Sequence, residues 1–379
     1  MSTPMQVDSP LPASGLNGLG KINGLAPMAR IQDMISTYRG TKLFRRDHHS
    51  GPISILSLDF DDQGDLLMTS ESDETIQIYN VKEGKHSKQC LSKKYGAKHA
   101  KFSHTASCII YASTKENDTL RYLSTHDNSF IRYFKGHEKP VTCIATNPGA
   151  DTFLSCSEDN TVRLWDTNTD NCCGKLLLAQ PYLAAFDPSA SVIAIASEAA
   201  QSVVLYDFRN FDKEPFATFD VLQHAPELRS MSTTKCWNKL EFSNDGKSLL
   251  VGTSGHGHFV LDAFDGSLRS YLSRQNGGPK RLAAGEHNTE GIDPSEARKV
   301  SSGDACFTPD GRYVISGQRR ENVLVWDTLQ STATKKMMPV HELEFKGEAA
   351  VIAFNPRYNM FASADKELVF WIPDPNANI

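Results

Sequence analysis

A chain of 379 residues with a formal net charge of −5 is long enough for one large domain or two ordinary ones, and its 40 basic and 45 acidic residues are interspersed. That leaves no basic stripe of the kind nucleic acid requires, so no direct DNA binding is expected. No apolar run reaches the roughly 20 residues of a membrane-spanning helix, and MSTPMQVDSPLPASG lacks the basic start and apolar core of a secretory leader. A soluble cytosolic or nuclear protein is expected.

Residues 1–35 are rich in Gly, Pro, Ser and Ala, with few large apolar side chains. Such a segment buries too little surface to offset its ordering entropy, and disorder is expected. Inside it, Gly15-Leu-Asn-Gly-Leu-Gly20-Lys21 fits seven places of a phosphate-binding loop. Ile22 stands where that loop needs a hydroxyl for magnesium, and no strand precedes it, so the match carries no nucleotide site. His48-His49 has no Cys or carboxylate partner at a metal-ligand spacing. The eight cysteines (Cys90, Cys108, Cys143, Cys156, Cys172, Cys173, Cys236, Cys306) form no CxxC pair and no Cys/His cluster. They read as idle thiols of a reducing compartment, and no metal or cofactor is expected.

From Thr41 onward, short alternating β-type runs replace the Gly/Pro texture, and one pattern recurs. It is an apolar run ending in a polar or Pro-containing turn, a second run, a tight turn, and a third run that usually ends on an aromatic. In chain order the copies are ILSLDF/LLMTS/TIQIYN, AKFSH/CIIYAS/TLRYLS, VTCIATNP/TFLSCS/TVRLWD, LAAFDP/VIAIAS/SVVLYD, LEFSNDG/LLVGT/HFVLDA, ACFTPDG/YVISG/NVLVWD and VIAFNP/MFASA/LVFWIP. Their closing positions are Tyr79, Leu123, Trp165, Tyr206, Leu261, Trp326 and Trp371, with gaps of 44, 42, 41, 55, 65 and 45 residues. Four gaps cluster at the roughly 40–45 residue period of a four-stranded propeller blade. The two long ones place insertions near 208–236 and 274–302. The expected fold is all-β, a seven-bladed β-propeller over 36–375 with a mobile insertion at 274–302. Pro373 and Pro375 deny the seventh blade an outer strand after Trp371. The stretch TKLFR, 41–45, is expected to supply that strand and close the ring.

Gly136-His137 with Trp165-Asp166, then Trp326-Asp327 and Tyr206-Asp207, resemble the GH and WD dipeptides of the WD-repeat family, over about residues 41–373. The resemblance implies a structural tetrad of His137, Ser155, Asp159 and Trp165, which satisfies buried polar groups rather than catalysing hydrolysis. A hydrolase would need an exposed Ser155 oxygen and oxyanion donors, which the second strand of a blade does not offer. In the first copy Thr69, Asp73 and Tyr79 keep part of the set, with His49 as a displaced histidine. The fifth, sixth and seventh copies have lost theirs.

Longer stretches narrow the resemblance. SKKYG at 92–96, DTLRYLSTHDNSFIRYF at 118–134, LYDFRNFDKEPFATF at 205–219, KLEFSNDGKSLL at 239–250 and FNPRYNMFASA at 354–364 look like the WD-repeat subunit of the COMPASS histone methyltransferase. That resemblance implies a nuclear scaffold with no activity of its own. The implied partners are a SET-domain methyltransferase of histone H3, a phosphatase-associated scaffold of the cleavage/polyadenylation machinery, and the phosphorylated tail of RNA polymerase II. The alternative is an adaptor of another class, such as a ubiquitin-ligase substrate receptor. In a propeller, the residues before each tight-turn Asp and those entering each first strand line one face. The partner-binding candidates there are Ser72, Lys98, Glu116, Lys139, Glu158, Tyr182, Trp237 and Arg319, with Trp237 favoured as an anchor. A phosphorylated ligand would favour Lys98, Lys139 and Arg319.

Overall fold

The computed structural model describes residues 30–46, 53–221, 237–274, 303–318, 322–330 and 335–377. Among them the strands form seven sheets, antiparallel but for one added strand in blade 5. Blade 3 shows the unit: Val141–Thr146, Thr152–Ser157, Thr161–Asp166 and Cys172–Leu177 pair in sequence order. Second strands are buried almost throughout, as in Ser248–Thr253 of blade 5, because neighbouring blades cover both of their faces. Outer strands such as Lys85–Leu91 of blade 1 alternate charged and half-buried positions and face water. The ladder slips by one residue just before Tyr79, Leu123, Trp165 and Leu261. Bulges at one repeated position increase the local twist in the same place in each of those blades.

Ring closure follows the expectation. Strand Tyr38–Arg45 pairs antiparallel with Glu367–Pro373 and becomes the outer strand of blade 7. The described residues begin at Arg30, within the segment expected to be disordered up to residue 35. Ile31–Met34 forms a helical turn, and Ile31, Met34 and Ile35 are buried with Tyr313, Val325 and Trp371. Burying three such side chains contributes several kcal/mol, which offsets the ordering of this short segment. The phosphate-loop-like stretch and His48-His49 lie outside the described residues, as does all of the 274–302 insertion except Arg274. That residue is no part of a loose loop, since its side chain is fully buried. One further strand was not expected from the repeat pattern. Lys336–Met337, in the connection to the last strand of blade 6, runs parallel to Tyr271–Leu272 and widens blade 5 to five strands.

Candidate functional site

The structure brings His137, Ser155, Asp159 and Trp165 together inside blade 3. Ser155 and Trp165 sit on its second and third strands, Asp159 in the tight turn between them, and His137 in the loop entering the blade. His137 Nδ1 lies 2.9 Å from Asp159 Oδ2, its Nε2 2.7 Å from Ser155 Oγ, and Trp165 Nε1 donates to that same Oγ at 2.8 Å. A carboxylate only accepts, so Nδ1 carries the imidazole proton and the serine hydroxyl donates to Nε2. This is the proton polarity of a hydrolytic triad. Access is what differs: Ser155 and Trp165 are 0% exposed, and the indole already occupies the oxygen that would attack. Thr161 and the Glu138 amide also bind Asp159. Burial would raise the Asp159 carboxyl, but these hydrogen bonds and His137 outweigh it and hold it down to about 2. Burial lowers the His137 imidazole, against the opposing pull of Asp159.

Other blades build the same brace from different residues. In blade 1, Arg46 takes the place of the histidine. Its guanidinium bonds Glu71, Thr75 Oγ1 at 3.1 Å and Asp73 at 3.3 Å, and burial pushes the Glu71 carboxyl up to about 7 against the pull of Arg46. His49, the residue expected in this role, lies outside the described residues. Blade 7 keeps only the pair Trp371 Nε1 to Ser363 Oγ, 2.9 Å.

Blade 6 borrows its histidine from blade 5. His258 begins the third strand of blade 5 one residue in, and its Nδ1 accepts the Thr253 amide at 3.1 Å. Nε2 therefore carries the proton and donates to Ser316 Oγ, 2.8 Å away on the second strand of blade 6. Arg274 bonds Asp304, Ser316 Oγ at 3.1 Å and the Gly317 carbonyl at 3.0 Å, and reaches back to the Thr253 and Gly255 carbonyls. Asp304 also accepts from Asn238 at 2.8 Å. Sequence reasoning missed Arg46, His258, Arg274 and Asp304. Only His258 left a signal, a Gly-His pair at 257–258, displaced from the entering loop to a strand.

The partner-binding candidates scatter more widely. Glu116, Lys139 and Glu158 are exposed on the tight-turn face of blades 2 and 3, with Glu116 at φ 68° in its turn. The carboxyl of Asp118 is raised by burial and then by Asp159 and Glu158, so negative charge is concentrated where these blades meet. Ser72 and Lys98 are half-buried, and the Ser72 hydroxyl accepts the Ser54 amide at 3.0 Å. Two candidates are corrected. Trp237, favoured as an exposed anchor, is 0% exposed within the shared core of blades 3, 4 and 5, because it starts an inner strand covered on both sides. Tyr182 is 8% exposed in that same core. Arg319 and Arg320 lie outside the described residues.

Comparison with known proteins places this geometry. Residues 40–80 and 128–166 match the WD domain, G-beta repeat family. WD repeat-containing protein 82 of Drosophila melanogaster is 36% identical over 344 residues, covering 90% of this chain and 96% of that protein. Set1 complex component swd2 of Schizosaccharomyces pombe is 32% identical over 378 residues, 89% of this chain and 98% of that protein. COMPASS component SWD2 of Saccharomyces cerevisiae is 34% identical over 341 residues, with coverages of 89% and 96%. The chain belongs to the Swd2 family of WD-repeat proteins. Within this Swd2-type propeller, the two stretches that match the general repeat include the braces in which one basic side chain, charged Arg46 or neutral His137, faces the turn Asp: Arg46 with Asp73, and His137 with Asp159. Blade 6, whose brace crosses between blades, falls outside them.

Proposed function

We propose that this protein is a non-catalytic scaffold subunit of a Set1/COMPASS-type histone H3 lysine methyltransferase complex, working in the nucleus. The supporting observation is end-to-end similarity to two proteins named as components of the Set1 complex and of COMPASS, each covered to 96% or more. A rigid ring whose only Ser-His-Asp set is sealed among the described residues suits docking better than turnover. The SET-domain subunit contributes a peptide segment that binds the tight-turn face, where Lys139, Glu158 and Glu116 present exposed charge. The same face serves a phosphatase-associated scaffold of RNA 3′-end processing, and through it the phosphorylated tail of RNA polymerase II. Affinity purification of the intact chain from nuclear extract, read by mass spectrometry, tests this. A SET-domain protein should be recovered, and a phosphatase scaffold in a separate pool. Recovery of neither refutes the proposal, and recovery of a cullin adaptor instead assigns the chain to ubiquitin ligation.

A further inference from the structure

The turn between first and second strands, on the face opposite the tight turns, opens in every blade with a short polar residue. That residue bonds its own turn, as Asp61 Oδ1 does in accepting the Leu66 amide at 2.7 Å. The next place is Pro148, Pro188, Pro309 and Pro356 in four copies, and Asp62, His104 and Asn244 in the other three. Proline has neither an N–H nor a polar side-chain atom, so only those three side chains can reach sideways from this place. Asn244 Nδ2 donates to the Pro309 carbonyl of blade 6 at 2.8 Å. Asp62 and His104 meet each other.

His104 of blade 2 lies between two neighbours. Its Nδ1 is 2.7 Å from Asp62 Oδ2 of blade 1, and its Nε2 is 2.9 Å and 3.2 Å from the Asn147 and Ala150 carbonyl oxygens of blade 3. A carboxylate and a carbonyl only accept, so both ring nitrogens donate, and an imidazole with two N–H groups is the cation. The blade 1 turn has a second anchor, because Arg357 Nε and Asn355 Nδ2 of blade 7 donate to the Asp62 and Gly64 carbonyls at 3.1 Å and 2.8 Å. The blade 3 turn has none. Among the described residues no hydrogen bond joins 147–151 to the blade 4 turn 187–191, and a Cβ on Gly149 would only touch Ala190 at 3.5 Å.

Asp62 lifts the imidazole above its ordinary range, and the two carbonyls add to that lift, against burial. The other charged groups on the packed turns are engaged or set apart. Asp61 serves its own turn, Asp65 accepts from Lys82 and Tyr358, Arg357 is directed at a carbonyl, and Asp151 follows Ala150 on blade 3. Residues 103–107 carry no charge besides His104. The His104 side chain is 33% exposed, so protons reach it from solvent.

We propose that His104 is a pH-operated clasp, which ties the blade 3 turn to blades 1 and 2 when charged and releases it when neutral. On losing one proton the ring keeps the other on Nδ1, where the carboxylate is the stronger acceptor. The Nε2 lone pair then faces two carbonyl oxygens, so the Asp62 contact survives and 147–150 is let go. A raised imidazole contributes fully below about pH 6.5, and its contribution is lost as pH rises through the folded-state value, the reverse of His137. The clasp does not rest on the methyltransferase reading, which concerns the other face.

Two measurements on the full chain test it. In a proton NMR titration, the ring signal that His104→Gln removes should have its midpoint above about 6.5, and Asp62→Asn should lower that midpoint. In hydrogen exchange at pH 6 and pH 9, corrected for the intrinsic effect of pH, protection of 147–152 should fall several-fold while that of 61–66 holds. His104→Gln, which cannot titrate, should abolish the fall. A midpoint at or below about 6.5 overturns the proposal. Protection at 147–152 that ignores pH, or that falls equally in His104→Gln, also overturns it.

Discussion

Blades 3 and 6 solve one problem with the same pair of residue types and opposite proton placement. In blade 3, His137 gives its Nδ1 proton to Asp159 and accepts the Ser155 hydroxyl, all within one blade. In blade 6, His258 donates to Ser316 from the neighbouring blade, and no carboxylate touches its ring among the described residues. The charge is instead carried by Arg274 and Asp304, which close the two ends of the 275–302 connection. Ser316 Oγ thus accepts from both His258 and Arg274, and the Trp326 indole N–H finds no partner among the described residues. In blade 3, Ser155 Oγ donates to His137 and so keeps an acceptor position for the Trp165 indole. The first brace holds one sheet together; the second holds two sheets together across an insertion. Losing the familiar dipeptide therefore marks a relocated brace rather than a missing one.

Breaking the blade 6 clasp should have the largest effect. Arg274→Met strands a buried Asp304 carboxylate and should cost about 3–5 kcal/mol in urea unfolding, most of it regained in Arg274→Met/Asp304→Leu. In blade 3, Ser155→Ala leaves the Trp165 indole without its acceptor and should cost about 1–3 kcal/mol. That smaller loss should leave the seven-bladed fold intact, as judged by circular dichroism.

Much of this was legible beforehand, for identifiable reasons. Strand runs and the closing role of 41–45 follow from alternation and from the prolines after Trp371, which act within a few residues. The blade 3 brace is legible because its four members lie within 29 residues, from His137 to Trp165, at fixed offsets. Arg274, Asp304 and His258 escape such reading because they have partners tens of residues away, 58 for His258 and Ser316 and 66 for Asp304 and Asn238. Trp237 misled for a related reason. Its position at the head of an inner strand is the same whether the side chain faces solvent or a neighbouring blade, and packing with blades 3 and 4 decides the matter.

Acid should separate the two histidines. Burial, and then Arg274, hold the His258 imidazole well below its ordinary range, and burial lowers His137 less completely because Asp159 opposes it. A depressed imidazole means that the unfolded chain binds more protons below about pH 6.5, so stability falls as pH drops through that value. Each such group costs up to about 1.4 kcal/mol per pH unit. Urea midpoints between pH 7 and pH 5 should therefore fall less steeply in His258→Gln than in the unmodified chain, and His137→Gln should flatten the slope less. The Asp159 carboxyl is lowered as well, but there the fold favours the charged form, so its contribution is present above about pH 4 and is lost as pH falls through about 2. The smallest stability effect belongs to the surface. Lys139→Glu and Glu158→Lys should change unfolding free energy by no more than about 0.5 kcal/mol.

One side-by-side measurement bears most directly on the claim that braces hold the ring while the tight-turn face does the docking. Ser155→Ala and the pair Lys139→Glu/Glu158→Lys are each expressed in place of the unmodified chain at a temperature where both are folded, and the SET-domain subunit recovered with each is quantified. Near-normal recovery with Ser155→Ala and a marked loss with the charge-reversed pair is the expected result. Loss with Ser155→Ala while the folded ring persists, and full recovery with the reversed charges, would contradict it.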